Sequence, residues 1–164
     1  QKTSPLLFAY GDTSAPIMLI SLMPSVESEK NKTFWSTQEK KIWDNILTAL
    51  NIKENHIYMS YAINWRPPGN LIPDLNIQKQ CSDVLLKHIE LVAPKFLIFL
   101  GYDIKNMLKN NLENDSLMLK NKTYPYLVVD DLLSLLKSPL LKPNFYTQML
   151  ILKNNLLNLG ININ

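Results

Sequence analysis

Cysteine and arginine are almost missing from this chain, and each shortage closes off a class of function. Cys81 is the only cysteine in the 164 residues, so they hold neither an intramolecular disulfide nor a site built from several thiolates, an iron–sulfur cluster included. A lone thiol suits a reducing compartment, and a cytoplasmic setting is expected. Arg66 is the only arginine. Two-point reading of base edges therefore has one residue to rely on, and broad contact with nucleic acid would rest on lysine. The charge excess is small, 17 basic against 14 acidic side chains for a net +3, which permits a nucleic-acid partner without requiring one. No apolar run approaches the roughly 18 residues of a membrane span, and the opening residues lack a secretory pattern, so no membrane partner is expected. The chain opens on Gln1 rather than methionine, so further residues can precede it.

What is present reads as a compact α/β protein. Its 46% hydrophobic residues and ten prolines fit a folded core, and the length fits one domain over 1–164, with 1–16 as an N-terminal extension and 158–164 as a frayed tail. Ile17-Met-Leu-Ile-Ser-Leu22 is a buried strand feeding a Met23-Pro24-Ser25 turn. Thr37 to Leu50 carries Ile42, Trp43, Ile46, Leu47 and Leu50 at helical spacing, with Ser36 or Thr37 as the cap. Ile57 to Ile63 is a second strand, Asp74 caps a helix to about Val92, and Phe96 to Leu100 is a third strand closed by Gly101. Residues 110–122 are polar and read as a surface excursion, Tyr126 to Val129 is a fourth strand, and Asn144 to Leu157 is a terminal helix.

Four strands alternating with helices predict a three-layer α/β/α sandwich with a central, mostly parallel four-stranded sheet. Ligands of such sheets bind beyond the C-terminal strand ends. Strand order alone therefore gathers 22–35, 61–70, Gly101 and 130–138 on one rim.

The run Asn64-Trp65-Arg66-Pro67-Pro68-Gly69-Asn70 is similar to the Lys-Cys-Arg-Pro-Pro-Gly-Asn loop of the family-four uracil-DNA glycosylases. Ser21-Leu22-Met23-Pro24-Ser25 lies over a family Gly-Glu-Ala-Pro-Gly, and Phe34-Trp35 over a Pro-Phe pair at the same spacing. Cys81 lies over the cysteine opening the next family helix, and Leu135-Leu136-Lys137-Ser138-Pro139 over a Leu-Leu-Arg-Asn-Pro that follows a His-Pro motif. In order and spacing, these pieces resemble that family over nearly the whole chain, roughly Ile17 to Leu152.

The resemblance implies extrusion of a base into a pocket and stabilisation of charge as the glycosidic bond breaks. It also places unlike residues at the working positions. Leu22 stands over the family's acidic residue, Tyr61 over the asparagine that reads uracil, and Asp131, or its neighbour Asp130, over the histidine serving the uracil oxygen. An ionised carboxylate there would repel the leaving base's negative charge. Leu22, Trp35 and Tyr61 are thus the expected base pocket, Asp131 the candidate catalytic group, and Arg66, Asn70, Lys137 and Ser138 the candidate DNA contacts.

Each has an ordinary reading beside it. Trp35 stacks on a base or anchors its own loop; Tyr61 reads a base or is a core tyrosine; Asp131 is a residual catalyst or a helix cap. Arg66 touches phosphate, clamps its loop, or is a surface arginine. His56 and His88 are structural or solvent-facing, and Cys81 is a small buried hydrophobe. Leu132, Leu133, Leu135 and Leu136 form a wedge into a duplex or pack on the core or a partner. With three of the family's four cluster cysteines unmatched and Trp65 over one of them, no metal or cofactor is expected. The resemblance therefore implies a degenerate glycosylase-like protein, without base excision, that binds DNA or a replication or repair protein. The alternative is a divergent glycosylase acting on uracil or another damaged base.

Overall fold

In the computed structural model, residues 8–120 and 122–163 are described. Four strands form the centre of the sheet, β2 (Ile17–Ser21), β3 (Ile57–Tyr61), β4 (Phe96–Leu100) and β7 (Lys122–Val129). All four run parallel, with β2 between β3 and β4 and β7 beyond β4. The predicted four-stranded core is therefore present, and three short antiparallel strands extend it. These are β1 (Ala9–Tyr10) on β3, and the pair β5 (Leu112–Glu113) and β6 (Ser116–Leu119), of which β6 joins β7. The full order is β1-β3-β2-β4-β7-β6-β5.

Side chains alternate between two buried layers, as a sheet covered on both faces requires. Ile17 and Leu19 of β2 and Ile98 and Leu100 of β4 face one layer; Met18, Ile20, Leu97 and Phe99 face the other. The first layer is closed by α2 (Thr37–Leu50), α5 (Leu132–Lys137) and α6 (Lys142–Asn158), through Trp43, Leu135 and Phe145 among others. The second is closed by α3 (Leu75–Val92) and α4 (Tyr102–Met107), through Leu85, Ile89 and Ile104. A short α1 (Val26–Asn31) leads from β2 toward α2. Among the described residues, no helix is long and apolar enough to cross a membrane.

Local chemistry sets the helix boundaries. Ser36 and Glu39 form a reciprocal capping box at the start of α2, and Asp74 caps α3 by accepting from the amides of Asn76 and Ile77. Both helices end on a residue in the left-handed region, Asn51 and Ala93, that bonds back into the last turn.

Three sequence expectations change. Residues 110–122 are not a plain surface excursion: they hold the β5–β6 hairpin, turned at Asn114 and Asp115 with φ of 46° and 58°, the two positive values that a tight hairpin asks for. Part of the expected N-terminal extension is sheet, since β1 pairs with β3; residues 1–7 lie outside the described residues. The tail does not fray as expected. Ile161 and Ile163 are buried in the α2–α6 layer, and Lys53 donates its amide to Ile163 O at 3.2 Å.

Gly11 holds the β1 edge in place. Its φ is +103°, and a Cβ there would sit 2.9 Å from the carbonyl oxygen of Ile57. Gly11→Ala combines a strained backbone with a clash against β3, and is expected to lower stability by about 2 kcal/mol, read by denaturant unfolding.

On the opposite face His88 ties α3 to β3. Its Nε2 lies 2.9 Å from the Tyr58 hydroxyl and its Nδ1 3.3 Å from Ser60 Oγ. Burial pushes the imidazole below its ordinary value of 6.5, so the unfolded chain takes up the proton first. This contribution to stability is complete above pH 6.5 and falls as pH drops from there toward the lowered folded-state value. Unfolding free energies measured between about pH 7.5 and pH 5 should decline more steeply for this protein than for His88→Phe.

Candidate functional site

The chain leaves β2 toward one side of the sheet and, by way of β3, returns as β4 on the other side of β2, which opens a crevice beyond the C-terminal ends of β2 and β4. The structure has a cleft of about 550 Å³ there, with Ser21 and Leu22 on one wall and Leu100 and Gly101 on another. Asn70 enters from the Pro-Pro-Gly-Asn loop, and Asp131 and Leu133 from the start of α5. The expected rim is thus a real cleft. Among the described residues, its charged lining consists of Glu27, Glu39, Asp103 and Asp131, with no lysine, arginine or histidine.

Two of these carboxylates are engaged with their own helices. Asp131 is the N-cap of α5: Oδ1 accepts from the Ser134 amide at 2.9 Å and Oδ2 from Ser134 Oγ at 2.7 Å. Glu39 accepts from the Ser36 amide at 2.9 Å. Both Asp131 oxygens are thereby held to the helix start, the capping role open to it in the sequence.

Trp35 and Tyr61 do not line this cleft. Tyr61 is only 2% exposed and lies in the α2–α6 layer. Its ring stacks on Phe34, centroids 4.4 Å apart and planes 19° from parallel, and its hydroxyl donates to the Phe34 carbonyl oxygen. Ser28 Oγ donates to the same carbonyl at 3.1 Å, so both lone pairs of that oxygen are used. Burial raises the Tyr61 phenol pKa, which keeps the hydroxyl protonated and donating. Trp35 meets the edge of Phe34 at 4.5 Å and tilts over Trp43 at 5.4 Å. An aromatic block of Phe34, Trp35, Trp43 and Tyr61 therefore fills the space behind the loop joining α1 to α2. Phe34 was not among the predicted site residues; two adjacent aromatics in a polar loop were the available signal.

The candidate DNA contacts separate in the same way. Arg66 Nε donates to Glu29 Oε2 at 2.7 Å, and Nη1 donates to Asn70 Oδ1 at 3.3 Å. The arginine thus clamps the Pro-Pro-Gly-Asn loop to α1. Asn70 lies at φ 58° on the cleft wall. Lys137 and Ser138 are exposed at the far end of α5, outside the cleft lining.

Cys81 is buried at the side of α3, next to a small cavity of about 190 Å³ that Ala62, Trp65 and Val84 also line. A cysteine-held iron–sulfur cluster needs several thiolates. This lining offers one sulfur, and burial pushes that thiol's pKa up, toward the protonated form. Among the described residues no three His, Cys, Asp or Glu side chains gather to hold a metal ion. The residues present do not fit a cluster.

The sheet is parallel at its centre, with a crevice beyond β2 and β4 and the Pro-Pro-Gly-Asn loop on its rim, the frame of an α/β protein whose site sits at the strand ends. The sequence model of the Uracil DNA glycosylase superfamily matches residues 8–152, and the chain belongs to that superfamily. It is similar to the type-4 uracil-DNA glycosylase of Sulfurisphaera tokodaii, 25% identical over 118 residues covering 71% of this chain and 54% of that protein. It is also similar to the type-4 enzyme of Saccharolobus solfataricus, 26% identical over 120 residues covering 71% and 56%. The Archaeoglobus fulgidus type-4 enzyme is 21% identical over 91 residues, 56% of this chain and 46% of that protein. The chain spans about half the length of the curated relatives it matches.

Proposed function

We propose that this chain is a glycosylase-fold protein that does not excise uracil and whose cleft rim engages a protein partner in replication or repair. The observation that carries this reading is the Phe34–Tyr61 stack. The residue expected to read the base is turned into the core, an intramolecular ring covers its face, and its only hydroxyl is spent on the Phe34 carbonyl. Leu22, at the position the resemblance assigns to an acid, has no group that orients water or stabilises a positive sugar. Asp131 brings negative charge where a leaving base needs a donor.

The lining of the cleft favours a protein over DNA as partner. Among the described residues, four carboxylates and no cation line it, which opposes an approaching phosphate backbone. Val26 and Leu133 on the cleft wall are exposed, as are Leu71 and Leu75 just beyond Asn70. Exposed apolar residues around an anionic cleft suit a protein segment carrying lysine or arginine. The cytoplasmic setting expected from the lone thiol agrees with a role beside DNA metabolism.

Two measurements test this. Single-turnover assays on uracil, hypoxanthine and mismatched duplexes should release no base above a protein-free control; release abolished by Asp131→Asn would establish the active alternative. Binding to duplex DNA should be weak with a shallow salt dependence. A steep slope that Lys137→Ala reduces would place DNA, not protein, on the rim.

A further inference from the structure

A second and larger cleft, about 710 Å³, lies on the other side of the α1–α2 loop, against the β1–β3 edge of the sheet. It shares Glu27 with the first cleft. Its floor is apolar, made by Tyr10 of β1, the buried Phe34 and Trp35 of the loop, and Ile57 and Met59 of β3, and Asn31, Thr33, Thr37 and Asn55 stand around it. Tyr10 and Phe34 meet edge to face, centroids 5.6 Å apart at 69°, and Phe34 and Trp35 likewise at 4.5 Å and 87°. The three rings form a corner rather than a flat stack. The size, and an apolar floor beneath a polar rim, match a small-molecule site.

The charged groups around it choose the ligand. Asp12, Glu27 and Glu54 border the cleft, and Lys40 is its one basic lining residue among the described residues. Lys40 is already bonded to Asp44 and sits 3.6 Å from Glu54 Oε1, so its charge is offset locally. Asp12 accepts from the amide and hydroxyl of Ser14, and Glu27 from the amide and hydroxyl of Thr37. These bonds hold both carboxyl pKa values below the ordinary range and orient them without adding positive charge. Carboxylates around an aromatic corner are complementary to an organic cation and repel phosphates and carboxylic acids.

We propose that this cleft binds a small organic amine with an apolar or aromatic body, its ring against Tyr10, Phe34 and Trp35 and its ammonium at Asp12, Glu27 and Glu54. The site is independent of the question of base excision.

The test uses three probes sharing one ring: tryptamine, 3-methylindole and indole-3-acetate, titrated into the full chain while ¹H–¹⁵N spectra follow the Trp35 indole N–H. That indole nitrogen has no hydrogen-bond partner among the described residues and reports on its surroundings. Tryptamine should move this resonance and those of Gly11 and Asn55 saturably, with 3-methylindole weaker and indole-3-acetate weakest. The double variant Asp12→Asn, Glu54→Gln changes two exposed side chains and should keep the wild-type spectrum, confirming its fold. It should weaken tryptamine about tenfold, as expected for the loss of two charge-assisted contacts, and leave 3-methylindole unchanged. Absence of saturable shifts with tryptamine, equal binding of tryptamine and indole-3-acetate, or indifference of tryptamine to the double variant would each overturn the proposal.

Discussion

Phe34→Ala is expected to lower the unfolding free energy by about 3–5 kcal/mol, the range for removing a fully packed phenylalanine. Phe34 is 4% exposed and packs on three other rings, Tyr10, Trp35 and Tyr61. Its backbone carbonyl, which anchors Tyr61 and Ser28, survives the substitution, so the loss reports packing rather than hydrogen bonding. Denaturant unfolding at neutral pH measures it. If the loss were below about 1 kcal/mol, the ring would be loosely held and would not seal Tyr61.

Restoring the family's side chains, Leu22→Glu, Tyr61→Asn and Asp131→His together, is expected to destabilise the protein without conferring excision. Tyr61→Asn dominates. It removes a buried ring from its stack on Phe34 and places an amide in the apolar layer around Trp43 and Leu100, a combined cost of about 3–5 kcal/mol. Asp131→His deletes the cap of α5, for about 1 kcal/mol more. Base release stays at background because Phe34 still occupies the face of residue 61. Uracil release by the triple variant would show that the architecture remains convertible and that only the polar groups had changed.

The fold was legible where one signal dominated. The apolar runs at 17–22, 57–63 and 96–100 marked β2, β3 and β4, and α2 was readable from its Ser36 cap and its Trp43, Ile46, Leu50 spacing. The β5–β6 hairpin was obscured by an Asn- and Lys-rich composition in which Asn114-Asp115 did not stand out as a turn. The full length of β7 was hidden by Pro125. That proline lies beyond the pairing with β4, which begins at Tyr126, and it faces only β6, where a missing amide is tolerated. Ile161 and Ile163 were too short an alternation to announce a docked tail.

The cleft itself was legible, because strand order alone collects Leu22, Asn70, Gly101 and Asp131. What that order does not give is side-chain direction. Whether Tyr61 faces the crevice or the core depends on the strand's face, and on Ser28 of α1 and Phe34 of the loop after it meeting it from a separate segment. Three of the acidic residues lining the cleft come from helix starts, Glu27, Glu39 and Asp103. There they read as ordinary first-turn carboxylates until the fold brings them together.

On the proposed function, the position that the resemblance assigns to base reading is sealed by Phe34 and Tyr61. The most direct test of this is a single-turnover assay with the protein in excess over a uracil-containing duplex and the matching single strand. The account predicts release indistinguishable from a protein-free control on both substrates. Uracil release by the wild-type chain that disappears in Asp131→Asn, a change that keeps the helix cap, would contradict it.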